Sequence, residues 1–133
     1  MSEQNVKAVQ SIYGAFGRGD VPGILEHCAD ETEWAFNGAR SEVPWHDTFK
    51  GKTAVPRFIQ ALVSNVDLHD FRPKTFIHSG DDVVCNVSIE YTVKKTGKRV
   101  REDQLHWWSF TNGKVARLLH FEDTAQVAAA HQP

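Results

Sequence analysis

The chain has 133 residues, 41% hydrophobic and 24% charged, enough apolar material for one folded core and too much for a disordered segment. With 15 basic and 17 acidic side chains its formal charge is -2, so neither nucleic acid nor a membrane surface is an expected partner. No apolar run approaches the roughly 18 residues of a membrane span, no basic-then-apolar leader opens the chain, and Cys28 and Cys85 are too few for a disulfide framework; a single cytoplasmic domain over residues 1–133 is the expectation.

Ser2 is a candidate N-cap for a first helix reaching about Gly17, with Val6, Val9, Ile12, Tyr13 and Phe16 recurring on one face. Gly17-Arg18-Gly19-Asp20 supplies a stop and the next cap, and Pro22 suits the first turn of a short second helix carrying Val21, Ile24, Leu25 and Cys28. Residues 30–36 read as a short strand ending at Asn37-Gly38, and residues 39–51 as an irregular loop holding Pro44, Trp45 and His46. Thr53 is the expected cap of a third helix with an apolar stripe of Val55, Phe58, Ile59, Leu62, Val63 and Val66.

Beyond this point the period changes from helical to alternating. Residues 68–78, 82–93, 99–110 and 115–123 read as four strands separated by Gly80-Asp81, Gly97 and Asn112-Gly113, with a terminal helix over 124–130. Helices followed by a strand meander predict an α+β fold with three N-terminal helices packed on a curved antiparallel sheet. Along the third of these strands Gln104, His106, Trp108 and Phe110 share one face and Leu105, Trp107 and Ser109 the other. Both faces carry a Trp, which predicts that one meets the helices and the other a second copy of the chain, a homodimer.

This order of elements resembles the cone-shaped nuclear transport factor 2-like fold, and most of all its SnoaL-like branch of polyketide cyclases and ketosteroid isomerase relatives. The resemblance covers nearly the whole chain. It rests on Tyr13-Gly-Ala-Phe-Gly-Arg-Gly-Asp20, Cys28-Ala-Asp-Glu-Thr-Glu-Trp34, Phe49-Lys-Gly-Lys-Thr-Ala-Val55, and Phe110-Thr-Asn-Gly-Lys-Val115 through Phe121-Glu-Asp-Thr124. These stretches identify a fold and not a chemistry, since such cones house isomerases, cyclases, dehydratases, hydrolases and binding modules. The resemblance implies a ligand between the sheet's concave face and the helices, with His106 and His120 facing it. In the cyclases the position of His120 often holds a catalytic Asp. The ketosteroid isomerase set is missing here: its catalytic Asp falls at Phe36, its oxyanion Tyr at Ile12, one residue from Tyr13, and its acidic partner near Leu105 or His106.

The last hairpin decides whether His106 and His120 meet. A three-residue loop over 112–114 would set them opposite each other, with Glu122 on the face of His120, whereas a two-residue loop would separate them. The match to the cyclases favours the first. Imidazoles titrate near neutrality, so His106, His120 and Glu122 are the candidate catalytic set for proton transfer next to a carbonyl, as in isomerisation or aldol-type ring closure. The competing reading is a polar cleft that only binds a small molecule or another protein. Tyr13, Trp34, Phe36, Phe58, Phe76 and Trp108 are the expected wall for a small hydrophobic ligand, and Trp45 and His46 are expected at the mouth as a gate. Neither a metal nor a cofactor is expected: the other His pairs are adjacent in sequence, and no phosphate loop or nucleophile elbow is present. Cys85 reads as an inert core thiol.

Overall fold

The computed structural model describes residues 2–133, with side chains from Glu3 onward. Helix α1 (Ser2–Gly17) begins at Ser2 itself, whose capping role lies outside the described residues. Its buried face is Val9, Ile12, Tyr13 and Ala15, the three- and four-residue spacing of an amphipathic helix. Helix α2 (Val21–Leu25) starts on Asp20, whose carboxylate accepts the Gly23 N–H at 3.0 Å, with Pro22 in the first turn. Strand β1 (Cys28–Phe36) follows. The expected loop over 39–51 is corrected at its end, where β2 (Thr48–Lys50) pairs with β1. Thr53 is no cap: Lys52–Ala54 form a 3₁₀ turn entered from Gly51 at φ 89°, and α3 (Val55–Val63) continues from it without a side-chain cap. Here the left-handed Gly51 turns the chain in place of a hydroxyl.

The remaining strands are β3 (Val66–Ser79), β4 (Asp82–Val93), β5 (Arg99–Thr111) and β6 (Lys114–Phe121), followed by α4 (Thr124–Ala130), capped by Asp123. The curved sheet runs β2-β1-β6-β5-β4-β3 and is mixed, because β1 lies parallel to β6. That corrects the antiparallel expectation. A hairpin forces two strands antiparallel, but β1 reaches β6 only after α3 and four intervening strands, so no turn fixes its direction. Among the described residues no helix is long and apolar enough to cross a membrane.

Alternation sorts the sheet's two faces. Val83, Cys85, Val87, Ile89, Tyr91 and Val93 of β4 are all buried inward, against α1 and α3 at one end and against α4 and the Val43–Trp45 loop at the other. Outward, Ile77, Val84, Trp107 and Leu119 pair successively across four strands, and Ile77, Leu105 and Trp107 are exposed.

The β5–β6 hairpin sets the functional register by an unexpected route. Its connection is the two-residue turn Asn112-Gly113, both at positive φ (51° and 77°), flanked by the Thr111–Lys114 pair. Such a turn alone would separate the histidines, as the parity argument requires. However, Phe110 pairs with Val115 while Ser109 pairs with Arg117, so Ala116 is an extra residue on β6. This bulge restores the parity and places His106 directly opposite His120. The three-residue loop is thus corrected to a two-residue turn plus a bulge.

Gly113→Ala should destabilise the protein by about 1–2 kcal/mol, the cost of forcing a Cβ into the left-handed region. Chemical denaturation checks this, and an unchanged midpoint would contradict the turn geometry.

Candidate functional site

The inner faces of β5 and β6 form the floor of a cavity of about 70 Å³, covered by α1 and α3. His106 and His120 stand side by side on this floor, ring centroids 6.3 Å apart and nearly perpendicular. Tyr13 comes down from α1, Trp34 from β1 and Phe58 from α3, and Trp34 and Trp108 meet edge to face at 5.5 Å. The lining is otherwise aliphatic and aromatic, with Gln104 as the polar exception beside the histidines and Tyr13.

The two imidazoles have different surroundings. Both nitrogens of His106 are bonded: Nε2 lies 2.8 Å from the Gln104 carbonyl oxygen and Nδ1 lies 2.7 Å from the Tyr13 hydroxyl. A carbonyl only accepts, so Nε2 carries the proton, and Tyr13 donates to Nδ1. Trp108 Nε1 donates in turn to the Tyr13 oxygen at 3.2 Å, while the Gln104 amide donates to Glu102 at 3.2 Å, which also accepts the Asp123 backbone N–H. This chain leaves His106 no free lone pair. Burial, with the His120 ring beside it, pushes its pKa down to about 3 against a smaller opposing pull from Glu122. Burial likewise pushes the Tyr13 phenol up.

Glu122, just past the end of β6, turns its carboxylate beneath the floor, where its side chain is fully buried. Burial alone would raise this acid, yet hydrogen bonds from His120 and His46, and the charge those rings can carry, hold it down at about 2. Three N–H groups converge on it: Trp45 Nε1 at 3.0 Å and His120 Nε2 at 3.0 Å on Oε1, and His46 Nε2 at 2.7 Å on Oε2. His46 is oriented by the Ser41 hydroxyl on Nδ1 at 2.7 Å and by Phe36, stacked at 4.1 Å with 6° between the planes.

His120 donates Nε2–H to Glu122, which leaves Nδ1 as its acceptor, and that atom has no protein partner. The Trp34 indole N–H is also buried without one. Thr32, Tyr91 and His131 have orphan atoms elsewhere, but among the described residues only His120 and Trp34 of these line the cavity. Unpaired buried polar groups are costly and mark places where a ligand can complete them.

Of the residues expected at the site, Tyr13, Trp34, Trp45, Phe58, His106, Trp108 and His120 line the cavity. Glu122, His46 and Phe36 stand behind it, joined to His120 through the carboxylate. Phe76 packs on the Tyr13 ring and does not reach the cavity. The loop expected to gate the mouth is interior: Trp45 and His46 are 2% and 3% exposed, and Trp45 packs on Tyr91 and His131 under α4. Their hydrogen bonds to Glu122 supply the reason, since a buried carboxylate must find donors. Sequence reasoning missed Gln104, although its place on the His106 face was visible, and also Phe16 and Phe71. Cys85 is buried opposite His106 with its thiol raised by burial. Among the described residues no three His, Cys, Asp or Glu groups converge as a metal would need.

These shifts make folding sensitive to acid in two stages. His106 is lowered in the folded chain, so below pH 6.5 the unfolded state takes up a proton that the native state refuses until about 3. Glu122 is lowered too, so its contribution is lost between about 4.5 and about 2. Stability should therefore fall as pH drops from 6.5, by up to ~1.4 kcal/mol per pH unit for each proton involved. Urea denaturation from pH 7 to 3 checks this: His106→Gln should flatten the upper part of the profile and Glu122→Gln the lower part.

The SnoaL-like domain profile matches residues 9–118. An NTF2-like protein of Burkholderia xenovorans LB400 superposes with a TM-score of 0.90 at 26% identity, covering 99% of this chain and 98% of the other. An NTF2-like protein of unknown function from Burkholderia pseudomallei K96243 gives 0.88 at 27%, covering all of both chains. A Mesorhizobium loti protein, provisionally assigned as a SnoaL-like polyketide cyclase, shares the fold with a TM-score of 0.72 at 21%, covering 86% and 96%. No curated protein sequence matches the chain. With the profile spanning most of its length and these folds superposing on it, the chain belongs to the SnoaL-like domain family of the nuclear transport factor 2-like superfamily.

Proposed function

We propose that this chain is a cofactor-independent acid–base enzyme of the isomerase or cyclase type, acting on an apolar carbonyl compound. One observation carries the reading. Two residues that line the cavity carry unpartnered atoms of opposite sense, an acceptor at His120 Nδ1 and a donor at Trp34 Nε1. Removal of a proton next to a carbonyl asks for this combination, a base at the carbon and a hydrogen-bond donor at the oxygen.

In this reading His120 Nδ1 takes the proton from the carbon next to the carbonyl. The C–H electron pair passes into the enolate, whose oxygen is held by the Trp34 N–H. The imidazolium so formed is stabilised by Glu122, which also sets the tautomer that leaves Nδ1 free. Where a neighbouring C=C is conjugated with the enolate, return of the proton to the far carbon of that system shifts the double bond and completes an isomerisation. If the enolate carbon instead attacks a second carbonyl of the same molecule, that oxygen takes the proton and a ring closes. His106 holds Tyr13 and shapes the floor, and Glu122, His46 and Trp45 act through His120. The small volume of the cavity, about 70 Å³, favours a second reading, a non-catalytic module that binds a small ligand or a protein.

Acetophenone derivatives with a replaceable hydrogen next to the carbonyl, incubated with the protein in D₂O, separate the two. Deuterium uptake above the buffer rate is expected, falling 10²- to 10⁴-fold in His120→Asn while ketone affinity changes little. Ketone binding without any uptake would sustain the binding module and defeat the enzyme.

We also propose a homodimer through the outer sheet face, supported by the exposed Ile77, Leu105 and Trp107. Sedimentation at micromolar concentration should give a dimer that Trp107→Glu dissociates; a wild-type monomer would contradict it.

A further inference from the structure

The cavity's size is at odds with the ligand its chemistry calls for. It offers about 70 Å³, whereas a buried site that takes up a benzene ring measures about 150 Å³. A wall must therefore yield, and the walls are unequal. Trp34, Trp108, Tyr13 and His120 are buried; Tyr13 and Trp108 are hydrogen-bonded between α1 and β5, and His120 to the buried Glu122. Phe16 and Phe71 are only partly buried and face each other across 5.0 Å between the cavity and an external groove.

That groove, about 570 Å³ between α1, α3 and β3, shares Tyr13, Phe16, Ile24, Ile59 and Phe71 with the cavity. Both sides of the Phe16–Phe71 partition stand on yielding backbone. Phe16 lies in the last turn of α1, before Gly17 and the left-handed Gly19 at φ 68°. Phe71 is on β3, the edge strand of the sheet, next to a register shift between Leu68 and Asp70. An edge strand can move without breaking pairing on its outer side, and a bulge is where it bends.

The groove is uncharged. Tyr13 is the one ionisable side chain in its lining, and its rim presents Val63 and Leu68, 45% and 41% exposed. An anionic or cationic ligand segment would find no partner there, while an alkyl or aryl segment would cover apolar surface now facing water.

We infer that the ligand of this site is an elongated neutral molecule, whose carbonyl-bearing head displaces the Phe16–Phe71 partition to reach His120 and whose apolar tail lies in the groove against Val63 and Leu68. The carbonyl head rests on the function proposed above; the tail rests on the groove alone.

Calorimetric titration with alkyl phenyl ketones, from acetophenone to a ten-carbon chain, tests the tail. Affinity should rise about two- to fourfold per methylene until the groove is filled. Leu68→Asp or Val63→Asp, both at exposed positions, should abolish the rise and leave acetophenone affinity unchanged, while His120→Asn should keep it. A flat series in the wild type, or a rise that both groove variants retain, would overturn the inference. Deuterium uptake by the same ketones reads the chemistry separately. A rising series without uptake supports the groove while removing the catalytic reading, and uptake with a flat series does the reverse.

Discussion

A carboxylate sealed from water with three N–H groups directed at it is the interaction on which the rest of the site depends. The Glu122 carboxylate gives up contact with solvent, a large cost for an ionised group, and recovers it through charge-assisted hydrogen bonds from Trp45, His46 and His120. Each donor is thereby fixed in turn. His120 is locked into one tautomer. The loop through Trp45 and His46 is drawn from the surface into the interior, where it closes one end of the sheet together with α4. His46 in turn lies flat on Phe36 and joins the loop to β1. Removal of the carboxylate would leave three buried donors unpaired, a cost beyond the loss of any single bond.

Two adjacent histidines take different roles because their neighbours differ. His106 is saturated by Tyr13 and Gln104 and held neutral by burial. His120 is saturated on one side only. Environments that separate two like groups are how a single fold assigns acid–base roles. The same division leaves one imidazole lone pair and one indole N–H unpartnered on two residues that line an otherwise apolar cavity.

Much of this was legible in the sequence where a periodic signal exists. The Val9–Ile12–Tyr13 stripe, the Asp20 cap, and the inward His106 and Trp108 against the outward Trp107 all follow from 3.6- and 2-residue periods. What escaped has no period. The Ala116 bulge is a single residue that reverses the parity argument of a whole hairpin. The parallel β1–β6 pairing joins segments about 80 residues apart with no turn between them to announce it. The burial of Trp45 and His46 is caused by Glu122, a partner 76 or more residues away, and irregular loops carry no local sign of such a contact. Gln104 was visible on the His106 face but drew no attention, because an amide has no acid–base chemistry of its own.

The acid–base character of the site turns on the tautomer of His120. Long-range ¹H–¹⁵N NMR correlation of the imidazole rings at pH 7 reads it directly. His120 should carry its proton on Nε2 and leave Nδ1 unprotonated, and Glu122→Gln should disturb that ring while leaving the bonded nitrogens of His106 in place. A proton on His120 Nδ1, or a His120 ring indifferent to Glu122→Gln, would contradict it.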